Sequence, residues 1–217
     1  IDELLKDTWV DKTRSGRALQ TLGFRSALSF ISALVEHENF GHGARAREFG
    51  MNIYYEQYGP GAKAILADKD SALKLEPCAL EKYALFGGGG LEAEAVMAAR
   101  IVQSRQADPA RYLLYGAIKL SQTGYSLDYY LDFPYGQDIR IYQVAINNLR
   151  FIRGITSERL QEIKNFSGDH IISYNEPWLR RKLGDQYLKD ETFYYLAAYN
   201  LIDPALWYSL YQDYKYI

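Results

Sequence analysis

The sequence has one cysteine, Cys78, so no intramolecular disulfide can form. That leaves the compartment open, because cell-envelope proteins also do without disulfides. It has no run of 18 or more apolar residues. The closest approach, Ala27 to Val35, is far shorter than a bilayer span, so no transmembrane span is expected. It has no concentrated basic face. Lys and Arg number 25 against 27 Asp and Glu, for a net charge of −2, and they are scattered along the chain. Nucleic acid is therefore not an expected partner. Internal repeats and low-complexity linkers are absent too. The first residue is Ile1 rather than Met, which points to a trimmed, processed or partial chain and leans the location toward the cell envelope or secretion.

What is present suits a single globular domain over residues 1–217. Hydrophobic residues make up 48% and charged residues 24%. A chain of this length can bury a core without staples, so any bound metal serves function rather than folding. Twenty tyrosines are the oddest feature. They concentrate after position 110, as in Tyr129-Tyr130 and Tyr194-Tyr195. They read as amphipathic helix packing or, more sharply, as an aromatic wall for carbohydrate, peptide or a partner protein.

The apolar periodicity of Leu19, Leu22, Phe30, Ile31, Leu34 and Val35 predicts a helix over 18–48, ended by Gly43 or Gly50. Residues 51–62 read as extended or turning, and 63–85 as ambiguous with short helical patches. A glycine run, Gly87 to Gly90, precedes a helix over 91–106. Further helices fit 109–122, 138–152 and 156–165. A last helical region covers about 176–215, broken near Asp203-Pro204. The fold class is mainly α with few short strands. Residues 18–106 hold the chemistry, and residues 107–217 form a tyrosine-rich helical part.

Two of the three histidines lie in Glu36-His37-Glu38-Asn39-Phe40-Gly41-His42. Neutral imidazole is a favoured zinc ligand, and a glutamate directly after the first histidine sits where zinc hydrolases keep their general base. The usual spacing of four leaves two histidines about 40° apart on a helix, whereas a spacing of five turns them about 140° apart. His37 and His42 can therefore converge only if the helix is bulged by one residue, as in a π-bulge. In an undistorted helix, Glu38 and His42 would share a face instead, a carboxylate–histidine pair suited to iron or manganese as well as zinc.

A catalytic zinc takes three protein ligands and water. The third is expected from Glu92 or Glu94, which cannot share a helix face. Glu92 is favoured because the small residues Ala95 and Ala99 line its side. Glu36, Asn39 and Glu94 are candidates to orient the ligands, and Arg45 and Arg47 to pair with carboxylates or hold a substrate terminus. The glycine run lacks the residues of a phosphate loop and reads as a tight approach to the other helix or a floor for substrate backbone.

The segment His37-Glu38-Asn39-Phe40-Gly41-His42 resembles the H-E-x-x-G-H motif of the gluzincin metallopeptidases of the dipeptidyl-peptidase III type. The resemblance covers about 20 residues in two patches. It implies a zincin-like helical metalloprotease core, with Zn2+ on His37, His42 and Glu92, Glu38 as general base, and a peptide or protein substrate. A donor for the oxyanion is also needed. His170 is the first candidate and Tyr174 the second. The competing expectation is a non-catalytic cell-envelope binding or assembly module with a tyrosine-rich interface. A third is a histidine–carboxylate iron or manganese enzyme.

Overall fold

A computed structural model of the chain describes residues 12–58, 61–67, 74–104, 109–131, 138–167, 176–188 and 191–217. These form eight helices and one antiparallel hairpin. The mainly helical class expected from the sequence is what the chain adopts.

Helix α1 (Arg14–Glu48) is continuous through two π turns, Gln20–Arg25 and Glu36–His42. Thr13 starts it, its hydroxyl accepting the Gly16 N–H at 3.0 Å. Gly50 ends it with φ +67°, while Met51 N–H reaches Ala46 O and Gly50 N–H reaches Arg47 O. Those two bonds form a Schellman cap, which needs the left-handed residue that glycine supplies.

Strands β1 (Ile53–Tyr58) and β2 (Gly61–Leu66) pair from Ile53↔Leu66 to Tyr58↔Gly61. The turn residues 59–60 lie outside the described residues. Much of β2 (Ala, Lys, Leu) is built from helix-forming residues, and this made 63–85 ambiguous. Pairing with β1 overrides that propensity.

Helix α2 runs over Pro77–Gln103, with Pro77 in its first turn. It passes straight through Gly87 to Gly90, so the helix expected to begin at 91 begins fourteen residues earlier. Four glycines cost a helix interior about 3–4 kcal/mol, so the packing they permit must outweigh that. Helices α3 (Pro109–Leu131), α4 (Asp138–Arg153), α5 (Ser157–Ser167) and α6 (Glu176–Leu183) follow. Helices α7 (Glu191–Ile202) and α8 (Pro204–Tyr216) meet at the expected break. There Asp203 caps α8 by accepting the Ala205 N–H at 2.9 Å.

Three small cores hold the elements. Leu75, Leu80, Leu149, Ile152 and Leu179 join the start of α2 to α4 and α6. Ala33, Ala98, Ile118 and Leu206 join α1, the end of α2, α3 and α8. Ala46, Leu66 and Phe86 seat the hairpin on α1 and α2. Among the described residues, α1 is long and apolar enough to cross a membrane. The count of consecutive apolar residues misses this because Gln20, Thr21, Arg25 and Ser29 interrupt the run.

Candidate metal centre

The five-residue spacing of the histidines is resolved by the second π turn of α1. Its wider i→i+5 repeat stacks residues five apart, whereas a regular helix stacks those four apart. His37 and His42 thus face one side, with their Nε2 atoms 3.2 Å apart. The regular-helix pairing of Glu38 with His42 is not the one the chain adopts.

The glycines of α2 allow the two helices to touch at this turn. A Cβ on Gly41 would lie 2.5 Å from Gly90 Cα, and one on Gly90 would lie 2.3 Å from His37 Nε2. No side chain fits at either position, so Gly90 is the floor beneath the His37 ring. The other helix in contact is α4, where a Cβ on Gly87 would meet Ile141 at 2.6 Å. This close crossing is the packing that repays the glycine cost. The run is thus an approach surface within a helix, not a lead-in to one.

That crossing brings Asp138, the first residue of α4, onto the histidines. Its Oδ2 is 2.7 Å from His37 Nε2 and 3.2 Å from His42 Nε2. His37, His42 and Asp138 form a group able to hold a metal ion. Both histidines are almost wholly buried, and Asp138 keeps 16% of its side chain exposed. Burial alone would raise the Asp138 carboxyl, but His42 and His37 beside it hold it below the usual carboxylate range.

The far side of each ring is also engaged. His42 Nδ1 lies 2.7 Å from the carbonyl of Phe86, which can only accept, so Nδ1 carries the hydrogen. His37 Nδ1 lies 3.2 Å from Glu94 Oε1, close enough for pairing though not aligned as a linear hydrogen bond. Glu94 is buried, and Ser121 donates to the same oxygen at 2.9 Å. Tyr125 stacks on the His37 ring with centroids 4.5 Å apart. The two Nε2 atoms and one Asp138 carboxylate oxygen thus converge on one point, which protons on the rings or a bound cation can bridge.

The ligands expected at the outset fare unequally. His37 and His42 are brought together. Glu92 is not with them. It is half exposed and bound by Arg45, whose Nη2 lies 2.6 Å from Oε1. On the helix that continues through the glycines, Glu94 lies four residues after Gly90 and shares its face, while Glu92 points away. Glu94, one of the candidates to orient a ligand, lies behind the His37 ring, its Oε1 3.2 Å from Nδ1. The acid that does converge, Asp138, is an aspartate, where the resemblance implies a glutamate. Nothing in its sequence context marked it out from any other acid at a helix start.

Glu38 is buried, and its Oε2 accepts the Ala64 N–H of β2 at 2.5 Å. Asn39 turns elsewhere, accepting from Tyr55 Oη at 3.0 Å, and Arg47 donates to the Asn39 carbonyl at 3.1 Å. His170 and Tyr174, the expected oxyanion donors, lie outside the described residues. Comparison with protein-family models, curated proteins and solved structures finds no match.

Proposed function

We propose that the chain is a metal-dependent hydrolase, a zinc peptidase in the first instance, with its ion on His37, His42 and Asp138. The convergence of two imidazole Nε2 atoms and a carboxylate oxygen on one point carries this reading. Ligands about 2.1 Å from a tetrahedral zinc stand about 3.4 Å from one another. The three donor atoms here are 2.7–3.2 Å apart, near that spacing and slightly contracted. Two histidines and one carboxylate also leave a coordination position open, as a catalytic site requires. A zinc ion bound there would supply Lewis acidity, lowering the pKa of a water and polarising a carbonyl.

The residues of the chain supply the rest. Glu38 follows the first histidine directly, and its Oε2 is tied to the hairpin backbone. Its Oε1 is then the atom to take up a proton and return it to a leaving amine. Phe86 and Glu94 hold the rings so that the donor set is formed before anything binds. The side of the site on which Asp138 is exposed is the one left for a substrate.

The test is Glu38→Gln on protein of verified metal content. The expected result is full metal occupancy with hydrolysis of a peptide library reduced by about 10²–10⁴. Hydrolysis that survives Glu38→Gln would remove the glutamate from the reaction. A second reading rests on the donor set itself, since two histidines and one carboxylate also serve non-haem iron oxygenases. Metal identification in the purified protein separates the two. The non-catalytic binding module, with the tyrosine-rich half as its interface, predicts folded protein without stoichiometric metal.

A further inference from the structure

The polarity of α1 is inverted relative to a water-soluble helix. Between Ala18 and Val35 the buried residues are Gln20, Thr21, Arg25, Ser29 and Ala33, four of them polar. The exposed ones include Leu19, Leu22, Phe24, Phe30, Ile31 and Val35, and no charged residue in this stretch is exposed. A helix in the core of a soluble protein is mostly covered, but only 28% of this apolar stretch is buried.

The same inversion continues onto α7 and α8. Asn200, Ser209 and Asp213 are buried. Tyr195, Tyr199, Ile202, Trp207, Tyr211 and Tyr214 are 54–71% exposed. No charged residue from Thr192 to Tyr214 is exposed. Helices α5 and α6 of the same chain behave oppositely. Their exposed residues include Glu158, Arg159, Glu162, Arg180, Arg181 and Lys182. Among the described residues, α1, α7 and α8 thus present an apolar surface where α5 and α6 present a charged one.

Several of the buried polar groups are paired inside, although Thr21 Oγ1 and both Asp213 carboxylate oxygens make no hydrogen bond among the described residues. Tyr216 Oη lies 3.2 Å from the Arg25 guanidinium and 3.3 Å from Gln20 Oε1, and Arg17 donates to the Tyr216 carbonyl at 2.9 Å. Thr123, Ser126 and Ser209 each return their hydroxyl to the carbonyl four residues earlier. These links from α1 to the end of α8 also separate α1 from a cleavable leader, which would have no partners in the folded chain.

We propose that the exposed apolar face of α1, α7 and α8 lies in a lipid bilayer and that α1 crosses its hydrocarbon core. Residues 18–35 span about 27 Å as a helix, against a core of about 30 Å. Arg14 and Arg17 flank one end, and Arg45, Arg47 and Glu48 lie beyond the other. Exposed tyrosine and tryptophan suit the zone where acyl chains meet headgroups. His37 begins two residues after the apolar stretch, so the metal centre sits at one boundary of the bilayer. This assignment stands independently of any catalytic role.

The experiment uses the full chain with vesicles of phosphatidylcholine and phosphatidylglycerol, some carrying brominated acyl chains. The expected result is flotation with the vesicles that survives alkaline carbonate. Brominated chains should also quench the part of the tryptophan emission that disappears in Trp207→Phe. Ile31→Lys with Leu22→Lys should abolish flotation, while the quenching measurement needs no variant that could misfold. A chain that stays in solution without detergent, with Trp207 unquenched, overturns the proposal. So does a soluble oligomer in which a second copy covers the same face.

Discussion

Replacing Gly90 by alanine sets local propensity against the site. In an ordinary helix interior, Gly→Ala stabilises by about 0.5–1 kcal/mol. At position 90 the new Cβ would lie 2.3, 2.5 and 2.6 Å from three atoms of the His37 ring. Ordinary contact begins near 3.4 Å, so the ring must move by about 1 Å. It cannot retreat freely, because Tyr125 stacks on it and Asp138 and Glu94 hold its two nitrogens. A metal site tolerates ligand displacements of about 0.2 Å. Gly90→Ala should therefore weaken metal binding by more than the roughly 10–100-fold that loss of an orienting residue costs. Gly88→Ala is the internal control. Its Cβ would meet Tyr142 at 3.6 Å, an ordinary contact, so it should keep the metal and raise the melting temperature by about 1–4 °C. Competition against a chromophoric chelator reads the affinity, and thermal unfolding reads the stability. Unchanged affinity in Gly90→Ala would refute the claim that this glycine is the floor beneath a ligand.

Three further outcomes are expected. Glu92→Gln breaks an exposed pair with Arg45, so metal content should be unchanged and stability should fall by no more than about 1 kcal/mol, read by chelator competition and denaturant titration. Glu94→Gln keeps the shape but loses the charge behind His37, and calorimetric titration should show binding weakened by about 10–100-fold without being abolished. Gly41→Ala drives a Cβ to 2.5 Å from the backbone of Gly90, so it should separate α1 from α2 and lower both metal affinity and melting temperature.

How much of this was legible beforehand follows from the range of each interaction. The π turn could be read because two histidines five apart demand it if they share a purpose, and the demand is local. The end of α1 at Gly50 and the break at Asp203-Pro204 were legible for the same reason. Asp138 was not, because it lies 101 residues from His37 and only the crossing of three helices brings them together. Choosing between Glu92 and Glu94 required knowing that α2 runs unbroken through its glycines. Once it does, Gly87, Gly90, Glu94 and Ala98 form one buried face, and Glu94 is the acid on it. Propensity pointed the other way, since four consecutive glycines read as an interruption, and tertiary packing decided the matter. The apolar face of α1 was hidden by its own polar residues, whose burial no count along the chain reveals.

His37, His42 and Asp138 are proposed to hold one metal ion. Elemental analysis of the wild-type chain and of Asp138→Asn, both purified without added metal, tests it most directly. One equivalent of metal per wild-type chain and none in the variant is the predicted result. Folded wild-type protein without metal, or an equal metal content in Asp138→Asn, would contradict it.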